Sequence, residues 1–382
     1  MRRQTAFAVI VATAVILTFV VMRFSSAVTG SERPSIGPAP IPADEQASTI
    51  DAIKPPKRQR PLIAVVGDRE GAETTDYLVP FAVLRQSDVG DVVALSTGPG
   101  PLRLMPALTV HPDATTAEFD ARHPDGADYV IVPAVHRSDS PELRRWIREQ
   151  RGKGATIVGI CSGVKVLSKA GLLEGRGATG HWFDAKAIRK ENPSMRWVPD
   201  RRYVADRGVV TTTGISASVP VSLAIVEAVA GAARAASLAR ELGTATWSAE
   251  HESAAFQLDR HHVWTAARNK LAIWNRETVA IHVDEGVDEI ALAFTADAYS
   301  RTYRSRALAV SPGGQLVRTR RGLRLVTSPL PAAKSNRVSL GVADAHPALA
   351  VDRALDGIAA RYGRRTAAFV ALQLEYPWPR RE

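Results

Sequence analysis

Cys161 is the only cysteine in the 382-residue chain, and its neighbours are of kinds that could make it react. It sits in Gly159-Ile160-Cys161-Ser162-Gly163, behind an apolar run at 157–160 and ahead of a helix-like run at 164–170 that stops at Gly171. A Gly-x-Cys-x-Gly between strand and helix reads as a nucleophile elbow. The turn is sharp, so Gly159 and Gly163 let strand and helix approach while the central side chain stands at a helix N-terminus. The positive end of the helix dipole favours a thiolate there. The competing reading is a buried structural cysteine. A thiol nucleophile calls for a base and an orienting acid. His181 follows 20 residues later, a gap that fits one helix and a short return, and Asp76 lies in the loop and helix after the first predicted strand.

The elements that must position these groups can be read from periodicity. Apolar runs at 62–66, 92–96, 129–133, 157–160 and 208–212 read as buried strands, with a short edge piece at 108–110. Between them, 71–85 (containing Pro80), 141–152 (capped by Ser140) and 219–233 read as helices. Strands alternating with helices predict an α/β fold, a doubly wound parallel sheet of the flavodoxin-like kind. Such sheets bind ligands at the carboxyl ends of their strands, where the elbow places Cys161 and the loop after the first strand places Asp76.

Beyond about residue 235 the character changes. Residues 241–276 read as a long polar helix, 289–294 and 322–326 as strands, and 347–361 and 366–374 as helices. Ile290-Ala291-Leu292-Ala293 and the residues after it faintly echo Ile63-Ala64-Val65-Val66 and its helix, without a cysteine or a counterpart of Asp76. The expected organisation is therefore a membrane-directed segment at 1–27, a proline-rich linker at 28–61, a main domain at 62–234, and at 235–382 a helical connector with a smaller α/β part, either a shortened non-catalytic repeat or an unrelated appendage.

The run Gly159-Ile160-Cys161-Ser162-Gly163, followed by Ala170-Gly171-Leu172-Leu173, Gly175-Arg176, Ala178-Thr179 and His181-Trp182, resembles the PfpI-like branch of the class I glutamine amidotransferase-like superfamily. It is most similar to the amidase-like domain of AraC-type regulators and to isocyanide hydratases. The resemblance spans roughly residues 62–231. It implies that Cys161 is the elbow nucleophile, that His181 assists it, and that Asp76, four residues before Pro80, is the acid that contacts the thiol. It also implies an oxyanion site built from the backbone N–H groups of Ser162 and Ala134, and a homodimer as one possible assembly. One departure stands out: the family often has a glycine pair after the proline ending the third strand, where this chain has Pro133-Ala134-Val135.

Net charge is +10, but the arginines are spread over both halves, and there is no zinc spacing, phosphate-binding glycine loop or aromatic–basic interleaving. No nucleic acid, metal or cofactor is expected. One cysteine allows neither an intrachain disulfide nor a Cys-x-x-Cys redox pair. Arg2 and Arg3 precede a nearly unbroken apolar run at 6–22, closed by Arg23. That run reads as an uncleaved signal anchor or a cleaved signal peptide, with a buried core helix as the third option. Either leading reading places the globular part outside the cytoplasm, attached to the membrane or secreted. Three functions follow as expectations. The first is a cysteine-dependent hydrolase or hydratase of a small amide, nitrile-like or carbonyl compound. The second is a ligand sensor that keeps the pocket without turnover. The third is a thiol that responds to oxidative stress.

Overall fold

A computed structural model describes residues 38–330, 337–342 and 345–378. The expected membrane segment lies outside the described residues. Among the described residues no helix is long and apolar enough to cross a membrane.

The main sheet has seven strands: β1 (Leu62–Gly67), β2 (Asp91–Ser96), β3 (Ala114–Thr115), β4 (Tyr129–Val132), β5 (Thr156–Gly159), β6 (Tyr203–Asp206) and β7 (Val209–Thr212). Their spatial order is β6-β7-β5-β4-β1-β2-β3. All neighbours run parallel except the edge pair β6–β7, so the sheet is mixed. Strands β1, β4, β5 and β7 are buried along their whole length, as strands covered by helices on both faces must be. The covering helices include α2 (Thr74–Ser87), α3 (Pro141–Gly152), α4 (Gly163–Lys169) and α5 (Ser218–Ala230). As expected, Ser140 caps α3 and Pro80 lies inside α2.

The stretch expected to be a linker is not one throughout. Residues Ala43–Ile53 form a helix, α1, which packs on α5 and β6. Ile53 is fully buried, and its carbonyl accepts the Tyr129 hydroxyl at 2.6 Å. The basic patch that follows is held too: Arg58 donates from its backbone N–H and its guanidinium to Asp128. Buried apolar contacts and a buried carboxylate outweigh the extended bias of the prolines.

The second half carries a three-stranded parallel sheet, β8 (Glu277–His282), β9 (Ser305–Val310) and β10 (Arg337–Gly341), in the order β9-β8-β10. Helix α6 (Glu289–Ser300) joins β8 to β9, and α7 (Ala350–Tyr362) and α8 (Arg364–Leu374) follow. Two expectations fail here. The apolar run at 289–294 is the start of α6 and not a strand. Asp288 caps it by accepting from the N–H groups of Ile290 and Ala291, and a short apolar run cannot by itself tell a buried strand from a buried helix. The long helix at 241–276 does not form: the helix Ala232–Leu242 ends where it should begin, at Gly243 with φ of 82°, and only Arg260–Leu271 is α-helical within that span.

A third sheet is shared by both halves. Leu102–Met105 and Thr109–His111 form a hairpin in the first half, Leu316–Arg318 and Arg324–Val326 one in the second, and Val110 pairs with Leu325 across the seam.

Candidate active site

Cys161 stands where β5 turns into α4, and the local sequence is what the turn requires. A Cβ on Gly163 would come within 2.1 Å of the Val132 carbonyl oxygen, and one on Gly159 within 2.9 Å of Leu167. Only glycine lets the helix start so close to the end of β4. Cys161 itself has φ of 55°, the left-handed region that non-glycine residues avoid at a cost of about 1–3 kcal/mol. Its N–H donates to Thr212 Oγ1 at 3.1 Å, which ties the elbow to the end of β7.

Cys161 is 6 % exposed. Burial, and next the nearby Asp76 and Glu73 carboxyls, push it well above the usual thiol range; Arg301 and the Ser162 N–H, which donates to the sulfur, pull the other way. This corrects the expectation of a thiolate favoured by the helix N-terminus. Helix α4 has only seven residues, and its dipole is outweighed by desolvation and two acids.

Asp76, in the first turn of α2, is fully buried. Its Oδ2 accepts the Ala134 N–H at 3.1 Å, while Oδ1 has no hydrogen-bond partner. Desolvation raises this carboxyl to about 7. Glu73, the N-cap of α2, accepts the Asp76 N–H at 2.6 Å and the Thr75 hydroxyl at 2.9 Å. It too is pushed well up, first by burial and then by Asp297 and Asp76.

The other sequence candidates are placed differently. The Ala134 N–H is committed to Asp76, and the Ala134 carbonyl accepts the Glu73 N–H, so it is not a free oxyanion donor. Val135 bridges Ala72, which fixes this segment as an extended pairing in place of the open turn a glycine pair would allow. His181 is not poised as a base for the thiol. Its Nδ1 accepts the Phe183 N–H at 3.2 Å, which leaves Nε2 to donate to the Gln373 carbonyl at 3.2 Å. The Ser162 hydroxyl donates to Asp184.

The second half supplies what sequence reasoning missed. Arg301, just past the end of α6, donates to Glu73 Oε1 at 2.9 Å and to Asp297 Oδ1 at 2.7 Å, and Asp297 accepts the Thr75 hydroxyl at 3.1 Å. Glu375 accepts from the Gly214 N–H at 2.7 Å and meets His251 Nε2 at 3.0 Å. Glu73 had a local signal, an acid at a helix start just ahead of Asp76; Arg301 had none. Among the described residues no group of three or more histidine, cysteine or carboxylate side chains could hold a metal ion.

The fold and centre define a class: α/β proteins with a buried cysteine on a strand-to-helix elbow and a buried carboxyl nearby, from the helix that follows the first strand of the sheet. Residues 62–228 match the DJ-1/PfpI family. The chain is 28% identical over 117 residues to the Parkinson disease protein 7 homolog of Danio rerio, covering 29% of this chain and 61% of that protein. It is 41% identical over 59 residues to the HTH-type transcriptional regulator CdhR of Pseudomonas aeruginosa, covering 15% and 18% respectively. The chain thus spans less than two thirds of the length of these relatives. Among solved structures, Drosophila melanogaster DJ-1beta aligns with a TM-score of 0.43 at 22% identity, covering 49% of this chain and 99% of that one. An AraC family transcriptional regulator from Pseudomonas putida aligns with a TM-score of 0.42 at 18% identity, covering 47% and 97%.

Proposed function

We propose that Cys161 and Asp76 form a thiol–carboxyl pair that adds to a small, uncharged electrophile, a carbonyl or nitrile-like compound, in a hydratase-type reaction. The observation that carries this reading is the Asp76 carboxyl: buried near the thiol, with one oxygen unbonded, and raised to about 7, where it can take and return a proton at neutral pH. In the carboxylate form Asp76 accepts the Cys161 proton as sulfur bonds to the electrophilic carbon, then hands that proton to the substrate nitrogen or oxygen. With a nitrile-like substrate the product is a thioimidate. Water adds to its carbon, the thiol leaves with its proton restored, and an amide results. Amide hydrolysis is the weaker reading. Its tetrahedral intermediate needs a second oxyanion donor, and the Ala134 N–H is engaged with Asp76. The oxidative-stress reading is weaker for the same physical reason as a thiolate: a thiol pushed up in pKa oxidises slowly.

A screen of small aldehydes, nitriles and isocyanides tests the proposal. Turnover is expected, with kcat/KM lower by about 100-fold or more in Asp76→Asn and abolished in Cys161→Ala. Wild-type kcat/KM should rise with pH through about 7, as Asp76 ionises. A wild type that binds such a compound with no turnover would favour ligand sensing, the reading that the match to a transcriptional regulator supports. We also propose that the apolar run at 6–22 directs the domain to the outer face of the membrane. N-terminal sequencing of the mature protein separates an anchor from a cleaved signal, and recovery of the full chain in the cytosol would defeat both.

A further inference from the structure

The second half repeats the first with a constant offset. The elements beginning at Leu62, Thr74, Asp91, Leu102 and Thr109 have counterparts beginning at Glu277, Glu289, Ser305, Leu316 and Arg324, each 214 or 215 residues later. Both copies run strand, helix, parallel strand, hairpin. The copies meet as the halves of a two-fold dimer would. Helices α2 and α6 pack on each other, and the residues that pair across the shared sheet, Val110 and Leu325, are themselves counterparts at this offset. The end contacts are reciprocal. Arg301, beyond the C-terminus of α6, reaches Glu73 at the start of α2; Arg321 joins Asp288, at the start of α6, to Gln86, near the end of α2. The two helices therefore lie antiparallel.

We propose that residues 277–326 act as a built-in partner for residues 62–111, and that Arg301 is the positioning residue this partner contributes to the thiol site. Arg301 does not touch the reacting atoms. Its guanidinium spans Asp297 and Glu73, and Glu73 in turn holds the Asp76 N–H, so the acid facing Cys161 is oriented from the second half. Arg301 is the cation set against three clustered carboxyls: Glu73 and Asp76 from the start of α2, and Asp297 from α6. Thr75 bridges Glu73 and Asp297. The other titratable groups at this edge, His181, His251 and Glu375, bond to one another and to the backbone of Phe183, Gln373 and Gly214. Removing the guanidinium leaves more negative charge facing the thiol, which disfavours thiolate.

Alkylation of Cys161 by iodoacetamide across pH reads this directly and needs no substrate, so it stands or falls separately from the proposed reaction. In the full chain, with folding checked by circular dichroism, Arg301→Gln should slow alkylation at pH 8 about tenfold, one unit of thiol pKa. Arg301→Lys, which keeps the charge, should recover most of the rate. The double variant Glu73→Gln/Arg301→Gln should return toward wild type, because the charge removed is balanced. Wild-type alkylation by Arg301→Gln, or equal slowing in the Lys and Gln variants, would overturn the proposal. If Arg301→Gln does not fold, Glu73→Gln decides: it should speed alkylation, and an unchanged rate would count against the proposal.

Discussion

Asp76 is fully buried, and ionising it there strips a carboxylate of most of its water. Its raised pKa is therefore also a statement about stability. Below about pH 4 the group is neutral whether the chain is folded or not. Between there and about 7 the unfolded chain ionises it freely while the folded one resists, so the fold loses stability as pH rises through that window. In Asp76→Asn, where the amide oxygen can still accept from Ala134, that loss should disappear. Urea unfolding at pH 5 and pH 8 should show a fall in stability for wild type that is smaller by about 2–4 kcal/mol in the variant. The elbow glycines make a second prediction at this scale. Gly163→Ala forces a methyl into the Val132 carbonyl, a backbone group that cannot swing aside, and should cost about 3 kcal/mol or more. Gly159→Ala meets chiefly the flexible end of Leu167, with the Val164 Cα at 3.3 Å, and should cost less, about 1–2 kcal/mol, read by the same unfolding curves.

At the scale of elements, helix α1 is where a composition rule met its limit. Proline, serine and alanine around it suggest an extended tether, yet Ile53 and the Tyr129 hydroxyl bond fasten it to the sheet. Ile53→Ala should destabilise the protein by about 2–4 kcal/mol; a solvated tether would lose almost nothing. The strands β1, β4 and β5 were legible because a parallel strand covered on both faces reads as a largely apolar run, and β2 and β7 because each carries a shorter run of that kind. The elbow was legible because its glycines are obligatory. What could not be read is pairing at long range. The edge strand β6 is only partly buried and carries a mixed pattern. The apolar start of α6 reads equally as a buried strand, so the echo of β1 falls at Ile290 in the sequence while its structural counterpart begins at Glu277. At the site, Asp76 and His181 could be named from the sequence, but the structure buries only Asp76 near the thiol and turns His181 to the backbone of Phe183 and Gln373. Arg301, Asp297 and Glu375 could not, since nothing nearby in sequence connects them to the elbow.

For the molecule as a whole, the hydrophobic core on one face of the main sheet runs on from Ile53 to Leu374, so the halves share that interior, while a second core on the other face belongs to the first half alone. Unfolding followed by circular dichroism and by tryptophan fluorescence should give one coincident transition; two separated transitions would mean that each half is stable alone. The tethered arrangement also bears on how the site responds to dilution. A centre completed by a separate subunit empties as concentration falls below the dissociation constant of the pair. Here the completing residue travels on the same polypeptide, at an effective concentration set by chain connectivity and not by expression level. Thiol reactivity per molecule should then be the same at nanomolar and micromolar protein, and the chain presents one such centre where a symmetric pair would present two.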